Sequence, residues 1–210
     1  MHLDDALEQI SEIHAQVLKS EVFRGYRAAT MSLTAAIAVV AAILQPGILG
    51  VVTPAAFVWY WVSVAALCAA LCAVDILRTA RLCSEAGRGR RTILVVLQSL
   101  PALLVGAVVT AILVQREGAA SALPGLWAMF FALGIWSARP YLPRAVGLVA
   151  LFYVLAGTWQ LSQAQGTLMP SPWGMGLTFG VGQCALAVVL YLNIERRVQV
   201  VSSCGELDHG

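Results

Sequence analysis

The sequence predicts an all-α, polytopic membrane protein: a six-transmembrane-helix bundle with a cytoplasmic N-terminal amphipathic helix. Three observations carry that expectation. First, 60% of the 210 residues are hydrophobic and 11% are charged, against roughly 45–50% and about 25% in soluble domains; the mean hydropathy is +0.81. Second, the apolar residues gather in six blocks, each close to the length a helix needs to cross ~30 Å of hydrocarbon. Third, the basic residues are distributed very unevenly between the connections. Together these exclude a water-soluble globule.

The first element, residues 1–27, is polar enough to stay outside the bilayer. Its apolar positions Leu3, Ala6, Leu7, Ile10, Ile13, Val17 and Leu18 recur at helical spacing and cover an arc of about 140° at 100° per residue. Asp4, Asp5, Glu8 and Glu12 fall on the opposite face, so the head of this helix is acidic. Gly25, within EVFRGYR, marks the break before the first membrane helix. The six spans are expected over 28–44, 55–77, 93–115, 119–138, 145–161 and 174–194, together the domain 28–194. Residues 195–210 read as a cytoplasmic tail, disordered after about Ser202.

Six crossings put both ends of the chain on one side, and the charges say which. Lys19, Arg24, Arg27, Arg78, Arg81, Arg88, Arg90, Arg91, Arg139, Arg144, Arg196 and Arg197 share a side, and Arg116 alone lies opposite. Lys and Arg near membrane helices are retained in the cytoplasm, so both termini are expected there, in a multi-pass protein of a bacterial inner membrane. The outer connections QPGILGVVTP, REGAASALPG and SQAQGTLMPSPWG are short and rich in turn-forming Gly and Pro. Trp59, Tyr60, Trp61, Trp127, Trp159 and Trp173 fall near the outer helix ends, where aromatic rings settle among the headgroups. They are read as anchors rather than as a ligand cage. The N-terminus has no basic start followed by a short apolar core, so no cleaved signal peptide is expected. Five cysteines without a CxxC pair give no disulfide framework.

Chemistry is sparse within the spans. A charge buried in the bilayer is costly, so ion-coupled carriers betray themselves by ionisable residues inside their helices. Asp75 is the single example, three residues before Arg78, and reads as an interfacial ion pair rather than a coupling site. His2, His14 and His209 all fall outside the spans, which leaves no imidazole for haem or metal in the bundle. Cys68 and Cys72 read as small packing residues rather than thiolate ligands. No Ser–His or Cys–His constellation offers a nucleophile. No enzyme, cofactor or metal site is therefore expected, and a net charge of +2 gives no sign of a direct nucleic-acid partner. Gln98, Ser99, Gln160, Thr178 and Gln183 are read first as interhelical glue and second as pore lining. The Ala65–Ala69–Ala73 stripe and the GxxxG of Gly176 and Gly180 allow close helix approach and leave self-association open. Pro101 predicts a kink.

The acidic sign of the first helix decides what it binds. An anionic leaflet would repel it, so a protein surface is the better target, either the chain's own basic loop RTARLCSEAGRGRRT or a soluble partner held by helix-in-groove packing. In plan, the amphipathic stretch Leu3 to Leu18 followed by six spans without outer domains resembles the small polytopic anti-sigma factors of bacteria. The His-x3-Cys-x2-Cys metal motif of the zinc-containing class is absent, since no CxxC follows His14. The resemblance implies a regulator that sequesters a soluble cytoplasmic protein, a sigma factor, with Leu3, Leu7, Ile10, Ile13 and Val17 as the partner-binding residues and the bundle as anchor or sensor. The alternatives are a structural subunit of a membrane complex and a small channel or transporter.

Overall fold

In lipid there is no water to satisfy backbone N–H and C=O groups, so a crossing segment closes its hydrogen bonds within itself as a helix. The computed structural model describes residues 28–50, 53–82, 88–116, 118–164 and 171–192, and among them every regular element is helical, with no strand. Six helices follow in order: α1 (Ala28–Leu49), α2 (Pro54–Leu82), α3 (Arg88–Val114), α4 (Leu123–Ala138), α5 (Val146–Gln163) and α6 (Pro172–Leu190). A 3-10 turn, Ala119–Ala122, leads into α4 and another, Arg139–Tyr141, leaves it. Each of the six helical segments is long and apolar enough to cross a membrane. The amphipathic helix expected over 1–27, with its residues Leu3, Leu7, Ile10, Ile13 and Val17, lies outside the described residues, as does the tail 195–210.

Helix boundaries differ from the apolar blocks in a consistent way. Apolar composition marks where hydrocarbon ends, whereas a helix stops where its backbone is capped. Thus α2 and α3 continue beyond the expected 55–77 and 93–115 into arginine-bearing turns at Arg78 and Arg88. Expected to end at Leu44, α1 instead runs through Pro46 to Leu49. Pro46 removes a donor to the Ala42 carbonyl but already has a helical φ. The helix then closes at Gly50, whose φ of +56° suits the left-handed cap that glycine supplies and whose N–H donates to the Pro46 carbonyl at 3.3 Å. Pro101 likewise lies inside α3 rather than ending it.

Packing is uneven around the bundle. The most extensive interfaces join α1 to α6, α4 to α5 and α3 to α4. Because lipid tails are as apolar as leucine, helices associate there through close van der Waals fit, and small residues at the crossing make that fit possible. At the α1–α6 crossing, a Cβ on Gly176 would collide with the Ala42 methyl, and one on Gly180 would stand 2.6 Å from Val39 Cγ2. The GxxxG pattern therefore joins the first helix to the last, against a face carrying the buried Ala35, Ala38 and Ala42. At the α4–α5 crossing, Gly125 and Gly157 oppose each other, and a Cβ on either would lie 2.7 Å from the other's carbonyl oxygen. By contrast the Ala65–Ala69–Ala73 stripe is exposed on α2. Helix α3 turns Leu103, Leu104, Val108 and Ile112 outward, exposed on the surface of the bundle.

Adding one methyl group where a neighbouring helix already occupies the space costs about 1–3 kcal/mol. Gly157→Ala and Gly176→Ala are each expected to destabilise the bundle by that amount in reversible denaturant unfolding from mixed micelles. Gly47→Ala, where a Cβ meets nothing within 4 Å, is expected to leave the midpoint unchanged.

Candidate functional site

Successive antiparallel helices give the bundle two ends, one near Leu49, Pro54 and Pro172, the other near Ala28, Ala138 and Val146. Toward the Leu49 end, several polar side chains are fastened between helices. Gln45 of α1 is fully buried, and its Oε1 accepts a hydrogen bond from the Trp61 indole N–H at 2.7 Å. The Tyr60 hydroxyl donates to the Ala41 carbonyl at 2.6 Å. On the far side, the Trp127 indole N–H donates to Thr110 Oγ1 at 2.8 Å, and Thr110 in turn donates to the Gly106 carbonyl. Phe57, fully buried, stacks on Trp127 with rings 10° from parallel and leans against Trp61. One string of contacts, Gln45–Trp61–Phe57–Trp127–Thr110, thus ties α1, α2, α4 and α3 together.

Deeper in the bundle, Tyr153 of α5 is fully buried among Phe131, Phe152 and Phe179, with ring centroids 4.9–5.7 Å apart. It lies flush against Gly182 of α6, where no Cβ would fit. Its hydroxyl, the Gln183 Oε1 and the Gln45 Nε2 are buried without a protein hydrogen-bond partner. Gln160 of α5 donates through Nε2 to Thr178 Oγ1 of α6 at 2.7 Å, and Ser99 of α3 reaches the Gly134 carbonyl of α4 at 3.4 Å.

The Ala28 end holds Asp75, Arg139 and Arg144, whereas Arg116 lies at the other. The Asp75 carboxylate accepts a hydrogen bond from Thr30 Oγ1 at 2.6 Å, which ties α2 to α1. Arg139 lays its guanidinium over the Trp136 ring, with Cζ 4.5 Å from the centroid.

The outer aromatic residues divide in two. Trp59, Trp159 and Trp173 are exposed, as headgroup anchors must be. Trp61 is buried, and Tyr60 and Trp127 are partly buried, all three hydrogen-bonded inward. Helical rotation separates them: Trp59 and Trp61 are about 200° apart on one helix, so an aromatic at a span end faces lipid or core according to its neighbour's position. Cys68 and Cys72 are half-buried free thiols, Cys184 is an exposed one, and among the described residues no three His, Cys, Asp or Glu side chains gather as a metal site. Sequence reasoning passed over Gln45 and Thr110. A glutamine beside Pro46 reads as the end of an apolar block, and a lone threonine is ordinary in a membrane helix; the matching Trp61 and Trp127 were the available signals.

These features define a class, an all-helical protein with six helices fit to cross a membrane and fastened by indole–amide, indole–hydroxyl and amide–hydroxyl ties. No protein-family model, curated protein or solved structure matches the chain.

Interhelical hydrogen bonds in membranes contribute about 0.6–2 kcal/mol, and a buried polar group stripped of its partner is worse than none. Trp61→Phe is therefore expected to destabilise the bundle more when Gln45 is present than when it has been replaced by methionine. A Gln45→Met, Trp61→Phe double-mutant cycle, read by unfolding in micelles, should return a coupling of about 0.6–2 kcal/mol.

Proposed function

We propose that this protein is a membrane-anchored regulator, multi-pass in the bacterial inner membrane with both termini in the cytoplasm, that holds a soluble cytoplasmic protein through residues 3–18. The observation that carries the reading is a division of labour along the chain. In the described bundle, Gln45, Thr110, Gln160 and Thr178 are engaged in helix–helix bonds, which is the work of a scaffold. Gln160, a side chain suited to line a transport path, is committed to Thr178. The stripe Leu3, Leu7, Ile10, Ile13 and Val17, by contrast, belongs to a segment whose acidic opposite face suits it to a protein groove. The resemblance in plan to bacterial membrane-bound anti-sigma factors gives the partner class, a sigma factor. The mechanism is then sequestration: the helix covers a surface the partner needs elsewhere, and a signal acting on the bundle releases it.

A second reading, a structural subunit of a larger membrane complex, is favoured by one observation. The span Leu97–Val114 has 6% of its residues buried within the chain, and the neighbouring Ala65–Ala69–Ala73 stripe on α2 is open. A neighbouring membrane helix could seat there as readily as lipid.

The two readings separate experimentally. For the regulator, Ile10→Asp and Ile13→Asp are each expected to abolish retention of a stoichiometric soluble protein on the tagged full-length chain extracted in mild detergent, while recovery in the membrane fraction stays at the wild-type level. Equal retention by both variants overturns the regulator. For the subunit, Ala69→Trp is the variant that displaces an associated membrane protein and leaves soluble retention intact.

A further inference from the structure

We propose that the turn between α4 and α5 binds the phosphodiester headgroup of an anionic phospholipid. The inference rests on the six spans and not on the regulator reading. Arg139 ends α4 and Arg144 precedes α5, in the sequence RPYLPR, whose prolines fix the shape of the turn. Arg139–Tyr141 forms a 3-10 turn, Leu142 is extended, and the chain re-enters a helix with the Val146 N–H donating to the Pro143 carbonyl at 2.9 Å. The result is an open concavity of about 350 Å³ lined by Trp136, Arg139, Pro140, Leu142 and Arg144, at the lower end of the roughly 300–1,000 Å³ that ligand clefts span.

The arginines are placed rather than merely present. The Arg139 guanidinium lies over the Trp136 ring, with Cζ 4.5 Å from the centroid, and close to Gly147, where an added Cβ would stand 3.4 Å from Nε. The flat cation thus rests on an indole face, with Gly147 beside it. Asp75, the one carboxylate among the described residues, is engaged by Thr30, and no ion pair to Arg139 or Arg144 is formed among those residues. Two guanidiniums sharing one concavity suit a phosphate, which accepts two parallel N–H bonds from each such fork.

The source of the phosphate follows from location. The turn joins two membrane-crossing helices and so lies at headgroup level, where basic pockets between helices take anionic lipids. Trp136 and, one turn deeper, Leu133 are both about half exposed, an apolar strip leading from the concavity along α4 that an acyl chain can cover. A soluble phosphate ester has no use for it. Arginines that serve to fix topology need neither the indole seat nor the glycine, and that difference makes the proposal testable.

The test is thermal unfolding of the full-length protein in neutral detergent, titrated with dioleoyl-phosphatidylglycerol or with dioleoyl-phosphatidylcholine. Phosphatidylglycerol is expected to raise the midpoint and phosphatidylcholine to do so far less. Arg139→Gln and Arg144→Gln should each weaken the phosphatidylglycerol response roughly tenfold or more in apparent affinity, while Arg116→Gln, at the opposite end, leaves it unchanged. Gly147→Leu keeps both charges but fills the guanidinium's seat and should also weaken the response; it carries the test if a charge variant fails to fold. Equal responses to the two lipids, or a wild-type response from Gly147→Leu and both charge variants, overturns the site. The same shift with sodium glycerophosphate alone overturns the lipid as its occupant.

Discussion

Every feature of this chain answers one constraint: inside hydrocarbon, no solvent completes a hydrogen bond and no hydrophobic effect pushes helices together. Backbone groups are therefore closed within six helices, and contact between helices depends on how near their axes can come. Glycine sets that distance where it matters most. Gly176 and Gly180 admit α1, and Gly125 and Gly157 let two backbones meet carbonyl to Cα. The aromatic residues fill what the glycines do not, with Phe131 packed edge to face on Tyr153 and Phe179 at the α4–α5–α6 junction.

The same constraint explains why buried polar side chains such as Gln45 and Thr110 are paired across helices. An amide or hydroxyl facing lipid loses its hydrogen bonds to water, whereas one facing a matching group on the next helix becomes a tie of defined geometry. Trp61 with Gln45 and Trp127 with Thr110 do this at one end, and Thr30 with Asp75 does it at the other. The ties at the two ends fasten α2 to α1 and α3 to α4, and the close glycine contacts join α1 to α6 and α4 to α5. Helix α3 meets α4 along one side and shows most of its surface to lipid, and α2 is the more lightly held of the pair. A bundle built this way suits anchorage, and it leaves α2 and α3 as the side at which another membrane component meets the chain.

Part of this plan was legible in the sequence, because hydrocarbon thickness acts on composition, which a single chain displays directly. The number of crossing helices and the tight packing at Gly176 and Gly180 came from such signals. What was not legible depends on rotation and on partners distant in sequence. Composition alone does not tell that Trp61 faces inward while Trp59 faces out, that Asp75 bonds Thr30 of another helix, or that the Ala65 stripe stays open while Gly125 and Gly157 form a crossing. Gln45 was hidden for a related reason, since a polar residue next to proline resembles a span boundary even when α1 runs on past both. Residues 3–18, where the regulatory reading places its binding surface, lie outside the described structure, so that reading rests on sequence pattern and on the scaffold character of the rest.

The central claim is that the chain crosses lipid six times, with the arginine-bearing connections retained on the cytoplasmic side. Its most direct test is cysteine accessibility in a cysteine-free background, using a membrane-impermeant thiol reagent on intact cells. Thr53→Cys, Gln115→Cys and Gln163→Cys are expected to react before lysis, and Arg78→Cys and Arg144→Cys only after permeabilisation. Reaction of the second set in intact cells, or of the two sets together, would contradict the account.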